Sequence, residues 1–129
     1  MCATFAHQGD RAAALRDALT GNPAQAYGMD LTDADATVRT MEHIVREHPI
    51  IDTVVFAPSA PLPKEQLLET DWTMFLEHIN VQVRGMWQVV IGLRTQIAEK
   101  HPIAFIVILS EFCMREPASR AAPYVVAKY

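Results

Sequence analysis

An α/β fold built on a parallel sheet is what this 129-residue chain predicts. Two observations carry that expectation. Short, nearly unbroken apolar runs, above all residues 103–109, have the composition of strands buried on both faces, which is how parallel sheets read. Those runs alternate along the chain with longer stretches of helical periodicity, the order of βα units.

Each element has its own reason. Residues 3–6 form a short strand, followed by a helix that Asp10 caps and that runs to about residue 19. Gly21, Asn22 and Pro23 then end it. Residues 24–29 are a second, weaker strand. The turn Asp30-Leu31-Thr32-Asp33 offers Thr32 or Asp33 as N-cap of a helix, with Val38, Met41, Ile44 and Val45 on one stripe and Pro49 as its stop. Residues 51–56 are a buried strand. A proline-rich loop at 57–63 leads to a short helix at 64–69.

The longest helix is expected from about residue 71 to 100. Its stripe of Trp72, Phe75, Leu76, Ile79, Val83, Met86, Trp87, Val90, Leu93 and Ile97 reads as core packing. His101-Pro102 breaks it, and the strand at 103–109 follows. After an irregular segment with Pro117 and Pro123, a last helix begins near Tyr124.

Composition bounds the function. The length suits one domain, residues 1–129, and half of the residues are apolar, enough for a core. A net charge of −4 argues against nucleic acid or an anionic membrane as partner. No apolar stretch approaches membrane-spanning length and the first residues lack signal-peptide anatomy, so a cytoplasmic protein is expected. Cys2 and Cys113 are too few for a disulfide framework, and no Cys/His cluster has metal-ligand spacing. The histidines at 7, 43, 48, 78 and 101 are scattered and read as solvent-facing or capping residues.

Chemistry gathers at the C-terminal end. Ser110 and Glu111 stand at the edge of the 103–109 strand, and ligands of open α/β sheets bind outside the carboxyl ends of strands. Tyr124 and Lys128 are four apart and share one face of a helix. An ammonium near a phenol favours phenolate and makes the Tyr a better proton donor and acceptor near neutral pH.

From about residue 24 to 129 the chain resembles the short-chain dehydrogenase/reductase family, in its ketoreductase-like branch. Four features occur in the family's order: Asp30-Leu31 after a strand, Asn80 in Ile79-Asn80-Val81-Gln82-Val83-Arg84-Gly85, a strand ending at Ser110-Glu111, and Tyr124 with Lys128. The resemblance implies a Rossmann-like parallel sheet with flanking helices. It implies Tyr124, Lys128, Asn80 and Ser110 as catalytic residues, with Asp30, Leu31 and Lys128 binding NADP or NAD. It implies hydride transfer to a small carbonyl substrate, with no metal, and a homo-oligomer formed through the helix at 71–100.

The chain departs from the family's pattern in four places. The family's glycine-rich phosphate loop is not among these residues, so the chain is expected to start at the family's second strand. It stops one residue after the Lys, before the family's later strands, so it is expected to be a fragment that does not turn over alone. Phe56-Ala57-Pro58-Ser59 replaces the family's Asn-Asn-Ala-Gly. Family spacing puts the catalytic Ser at Glu111, one past Ser110, and which of the two takes that position stays open. The alternative reading is a catalytically degenerate scaffold or interaction subunit. Residues 6–11 do not choose between NADP and NAD.

Overall fold

The computed structural model of the chain describes residues 2–6, 14, 17–18, 25–114 and 120–129. Strand β1 (Cys2–Phe5) runs parallel to β2 (Gln25–Gly28), with Cys2 opposite Gln25 and Phe5 opposite Gly28. Most of the helix expected at 10–19 lies outside the described residues; Ala14, Asp17 and Ala18 are helical.

Beyond β2 the chain reverses at Asp30. Its Oδ1 accepts from the Thr32 N–H at 2.9 Å and the Thr32 hydroxyl at 2.7 Å, which makes an Asx turn. Asp33, one of the two expected caps, then starts α1 (Ala34–Glu47) by accepting from the Ala36 N–H at 2.9 Å. Thr37, Met41 and Ile44 are the buried face of α1, while Val38, expected on that face, is 38% exposed.

Strands β3 (Thr53–Phe56) and β4 (Ala104–Val107) also pair in parallel, Thr53 opposite Ala104 and Phe56 opposite Val107. Both are shorter than the apolar runs that predicted them. Gln96 accounts for one boundary: its buried amide accepts from the Ile51 N–H at 3.0 Å and donates to the Ile51 carbonyl, so a side chain takes residue 51 out of the ladder. Neither strand is buried on both faces, contrary to the sequence reading: Val55 is 60% and Ile106 48% exposed. Exposure alternates along β3, with Thr53 and Val55 exposed while Val54 is half-buried and Phe56 buried, so one face is covered and the other has no covering layer among the described residues. Among the described residues the sheet consists of two separate pairs, β1–β2 and β3–β4, with no ladder between them.

The expected long helix is present in pieces laid end to end. Asp71 caps α2 (Trp72–Ile79); a π-helical turn spans Asn80–Arg84; α3 (Gly85–Gly92) and α4 (Arg94–Ala98) follow. Lys100 closes the run with a left-handed φ of 60° just before His101-Pro102. Which face is buried is the reverse of the sequence reading. Trp72, Leu76, Val83, Trp87, Val90 and Ile97 are exposed, Trp72 by 63% and Trp87 by 60%. The buried positions are His78, Gln82, Gly85, Gln88, Val89, Leu93 and Gln96. Of the expected stripe, Leu93 alone is fully buried.

Close approach of helices makes that burial possible. A Cβ on Gly92 would lie 2.7 Å from Met41 Cβ, and one on Gly85 would lie 3.0 Å from Leu31 Cδ1. Both glycines let the central helix press on α1 and on the turn before it, and Arg84 ties the same turn by donating to the Thr32 carbonyl at 2.7 Å. Met29, Leu31, Met41, Ile44, Phe56, Val89 and Leu93 form the core there.

Gly92→Ala therefore sets helix propensity against overpacking. Alanine gains about 1 kcal/mol in a helix interior, but a Cβ so near a fixed neighbouring Cβ costs about 1–3 kcal/mol. The variant is expected to unfold at lower urea concentration than the parent chain. An equal or higher midpoint contradicts the α1–α3 packing described.

Candidate active site

The site is built where β3 and β4 end. Helix α5 (Ala122–Lys128) follows, with Pro123 in its first turn where a missing N–H costs nothing. It packs against α2, and its four-residue spacing brings Tyr124 and Lys128 to one side. The expected helix at Tyr124–Lys128 is thus present.

Lys128 is only 9% exposed. Its Nζ donates to the Ile108 carbonyl at 2.8 Å and to the Pro58 carbonyl at 3.2 Å, one beyond the end of β4 and the other beyond β3. One ammonium thus fastens α5 to both strand ends. Burial pulls its pKa below the ordinary lysine value, with the nearby Cys113 acting the other way. Among the described residues no hydrogen bond joins Lys128 to Tyr124.

Tyr124 is half-buried between two rings. His78 meets it edge-on with centroids 6.0 Å apart, and Phe112 does so at 6.3 Å. No hydrogen bond engages its hydroxyl among the described residues. Ser110 caps a 3₁₀ turn (Glu111–Cys113), its hydroxyl accepting from the Phe112 N–H at 3.3 Å, and Glu111 on that turn is exposed. Asn80 opens the π turn, its carbonyl accepting from the Gly85 N–H five residues on. Single π turns inside helices recur at functional positions. No hydrogen bond links Asn80 to Tyr124, Lys128 or Ser110 among the described residues.

Asp30 and Leu31 lie elsewhere, in the lining of a cavity of about 760 Å³ that also touches β1, β3 and the Ala57–Pro61 loop. The Leu31 side chain is buried at 8% exposure against Gly85, so it serves the core as well. Tyr124, Lys128, Asn80 and Ser110 do not line this cavity; Pro58, whose carbonyl Lys128 holds, does.

His78 is the residue the sequence reading missed. Taken there as solvent-facing or capping, it is 2% exposed, with Nδ1 unpartnered among the described residues. Burial lowers its pKa from 6.5, while the Glu77 carboxylate and the Pro61 backbone pull it back up. Its place on the same face as Gln82 and Gly85, four and seven residues further on, was the available signal.

A histidine kept neutral by burial contributes stability that is complete above its unfolded pKa and lost as pH falls below it. The chain is expected to lose stability as pH falls from about 7.5 to 5.5, across the ordinary histidine value, and His78→Gln is expected to flatten that dependence. Urea titrations at both pH values measure it; an unchanged slope in the variant contradicts the burial of His78.

Comparison with known proteins completes the picture. The family model described as enoyl-(acyl carrier protein) reductase matches residues 2–129. No curated protein matches the chain. Among solved structures it is similar to a short-chain dehydrogenase/reductase from Serratia marcescens, at 24% identity and a TM-score of 0.80, over 98% of this chain and 51% of that one. It is likewise similar to acetoin dehydrogenase YohF from Salmonella typhimurium, at 22% identity and a TM-score of 0.79, over 98% of this chain and 54% of that one. The protein gox2181 gives a TM-score of 0.85 at 13% identity, over 98% of this chain and 50% of that one. The chain spans about half the length of the solved structures it matches. With a match that covers the whole of its length from Cys2 onward, the chain belongs to the short-chain dehydrogenase/reductase family.

Proposed function

We propose that these residues are the catalytic part of an NAD(P)-dependent oxidoreductase that interconverts a small carbonyl compound and its alcohol. One observation carries the reading: Tyr124 and Lys128 stand one turn apart on α5, with Lys128 anchored at the carboxyl ends of β3 and β4. That is where α/β sheets hold ligands. The half-buried Tyr124 hydroxyl is free of protein partners among the described residues, as a proton donor awaiting a substrate oxygen must be.

The roles follow from the side chains. NADPH or NADH, when bound, supplies the hydride. Tyr124 gives its phenolic proton to the substrate oxygen as general acid. The Lys128 ammonium adds positive charge on the same helix face and a donor for the cofactor ribose. Ser110 offers a hydroxyl to the substrate oxygen, and Asn80 at the π turn positions the water that returns a proton to Tyr124.

The cofactor fits these residues in part. Asp30 and Leu31 border a cavity wide enough for an adenine, but no run of glycines borders it among the described residues, so the pyrophosphate has no cradle there. The exposed stripe of Trp72, Leu76, Val83, Trp87, Val90 and Ile97 suits pairing with the same stripe of a second copy, making a homo-oligomer through residues 71–100. No helix among the described residues is long and apolar enough to cross a membrane; the net charge of −4 argues against a nucleic-acid partner, and a cytoplasmic setting is proposed from the two scattered cysteines.

One observation favours a second reading, a catalytically degenerate scaffold or interaction subunit. Ser110 spends its hydroxyl on a turn, and Glu111, thirteen residues before Tyr124, puts a carboxylate next to it. Kinetics separate the two. NAD(P)H-dependent carbonyl reduction by the intact or complemented protein is expected to fall about 10²–10⁴-fold in Tyr124→Phe, with circular dichroism unchanged. Retention of more than about a tenth of turnover removes Tyr124 from that role, and no turnover in either form of the intact or complemented protein supports the scaffold.

A further inference from the structure

The central helix buries polar side chains as well as apolar ones, and two of them stand out. His78 is 2% and Gln82 4% exposed. The His78 Nδ1 and both amide atoms of Gln82 have no hydrogen-bond partner among the described residues. Gln82 is the only buried side chain there whose whole amide is unpartnered. In the unfolded chain water satisfies such atoms, so burying them without a replacement is costly and native proteins almost always supply one.

Placement narrows what the replacement is. His78 lies in the last turn of α2 and Gln82 four residues on, in the π turn, and both segments pack against α5. The His78 ring meets the Tyr124 ring edge-on, 6.0 Å between centroids. The Pro61 backbone draws His78 toward its protonated form, as a carbonyl facing a ring N–H does. With that N–H on Nε2, Nδ1 is the acceptor of the neutral ring. The Gln82 amide brings one acceptor and a donor group. At these exposures nothing larger than a water fits between the two side chains. A metal does not suit the donors either, since no three His, Cys, Asp or Glu side chains gather among the described residues. One water meets the demand: it accepts from the Gln82 Nε2 and donates to the His78 Nδ1 and the Gln82 Oε1, the usual three bonds of a buried water.

We propose that His78 and Gln82 together bind one buried water, and that this water fixes the His78 ring in the orientation that holds Tyr124. His78 and Gln82 are then positioning residues for the Tyr124 phenol. Asn80, two residues before Gln82 and on another face of the helix, takes no part. Without the water the His78 ring is free to turn about its Cβ–Cγ bond, and the phenol loses a fixed wall. The catalytic consequence rests on the reading of Tyr124 as proton donor; the water and the ring orientation do not.

The test has two arms. The first is NMR of the 129-residue chain with nitrogen-15 in its histidines. His78 is expected to carry its proton on Nε2, to accept a hydrogen bond at Nδ1, and to show a nuclear Overhauser contact from the ring to a long-lived water. Gln82→Met keeps the length of the side chain and removes the amide, and is expected to abolish both the hydrogen-bond shift at Nδ1 and the water contact. A proton on Nδ1, or an unchanged His78 spectrum in Gln82→Met, overturns the proposal; the parent spectrum decides it even where the variant fails to fold. The second arm is kinetics of the intact or complemented protein. Gln82→Met and His78→Phe are each expected to lower kcat about tenfold or more while KM moves less than about twofold. The double variant is expected to be no slower than the slower single one, because one water links the two. Losses that multiply, or an unchanged kcat in either single variant, overturn the positioning role. A parent protein without turnover counts against the oxidoreductase reading and not against the pair, which the first arm decides.

Discussion

With no ladder between β1 and β3 among the described residues, the contact of the central helix with α1 joins the two halves of the sheet. α1 belongs to the β1–β2 half, because it follows β2 through the Asp30 turn. The run from α2 to α4 belongs to the other half, because it connects β3 to β4. The halves meet where Gly92 admits Met41 and Gly85 admits Leu31, and where Arg84 reaches the Thr32 carbonyl. Leu93, 1% exposed, sits in the same contact. Apolar burial at that seam does for the two halves what a shared strand does in a continuous sheet.

The site depends on the same seam at one remove. Lys128 ties α5 to the ends of β3 and β4, and α2 packs on α5 from the side, bringing His78 against Tyr124. Everything around Tyr124 thus belongs to one half. Asp30 and Leu31 belong to the other, and the cleft lies between them and β3. A ligand touching both sets bridges the halves, so the geometry of a complete site follows from how the cleft is filled.

Much of this was legible in the residues. Apolar runs located β3 and β4, the Asp33 cap and the Met41–Ile44 stripe located α1, and the Tyr124–Lys128 spacing located a helix that exists. What the pattern could not tell was which neighbour each face meets. The stripe from Trp72 to Ile97 is apolar at helical spacing, and periodicity alone reads such a stripe as core. It faces outward because the opposite face, with glycines at 85 and 92, is the one that can approach α1 closely. Gln96 reads as a surface residue, and is buried because its amide has two backbone partners at Ile51. His78 sits next to a charged Glu77, and its one sequence signal of burial, a face shared with Gln82 and Gly85, is polar; the packing of α2 on α5 covers it. The strands were expected to be buried on both faces because parallel sheets are, and Thr53, Val55 and Ile106 are exposed because one face carries no covering layer among the described residues.

Amide hydrogen exchange along β3 in the chain by itself tests the divided sheet most directly. Alternation is expected: Val54 and Phe56 exchange slowly because their N–H groups are held by β4, while Thr53 and Val55 exchange at the rate of unpaired amides. Uniform protection at all four positions would mean that β3 is paired on both edges and would contradict it.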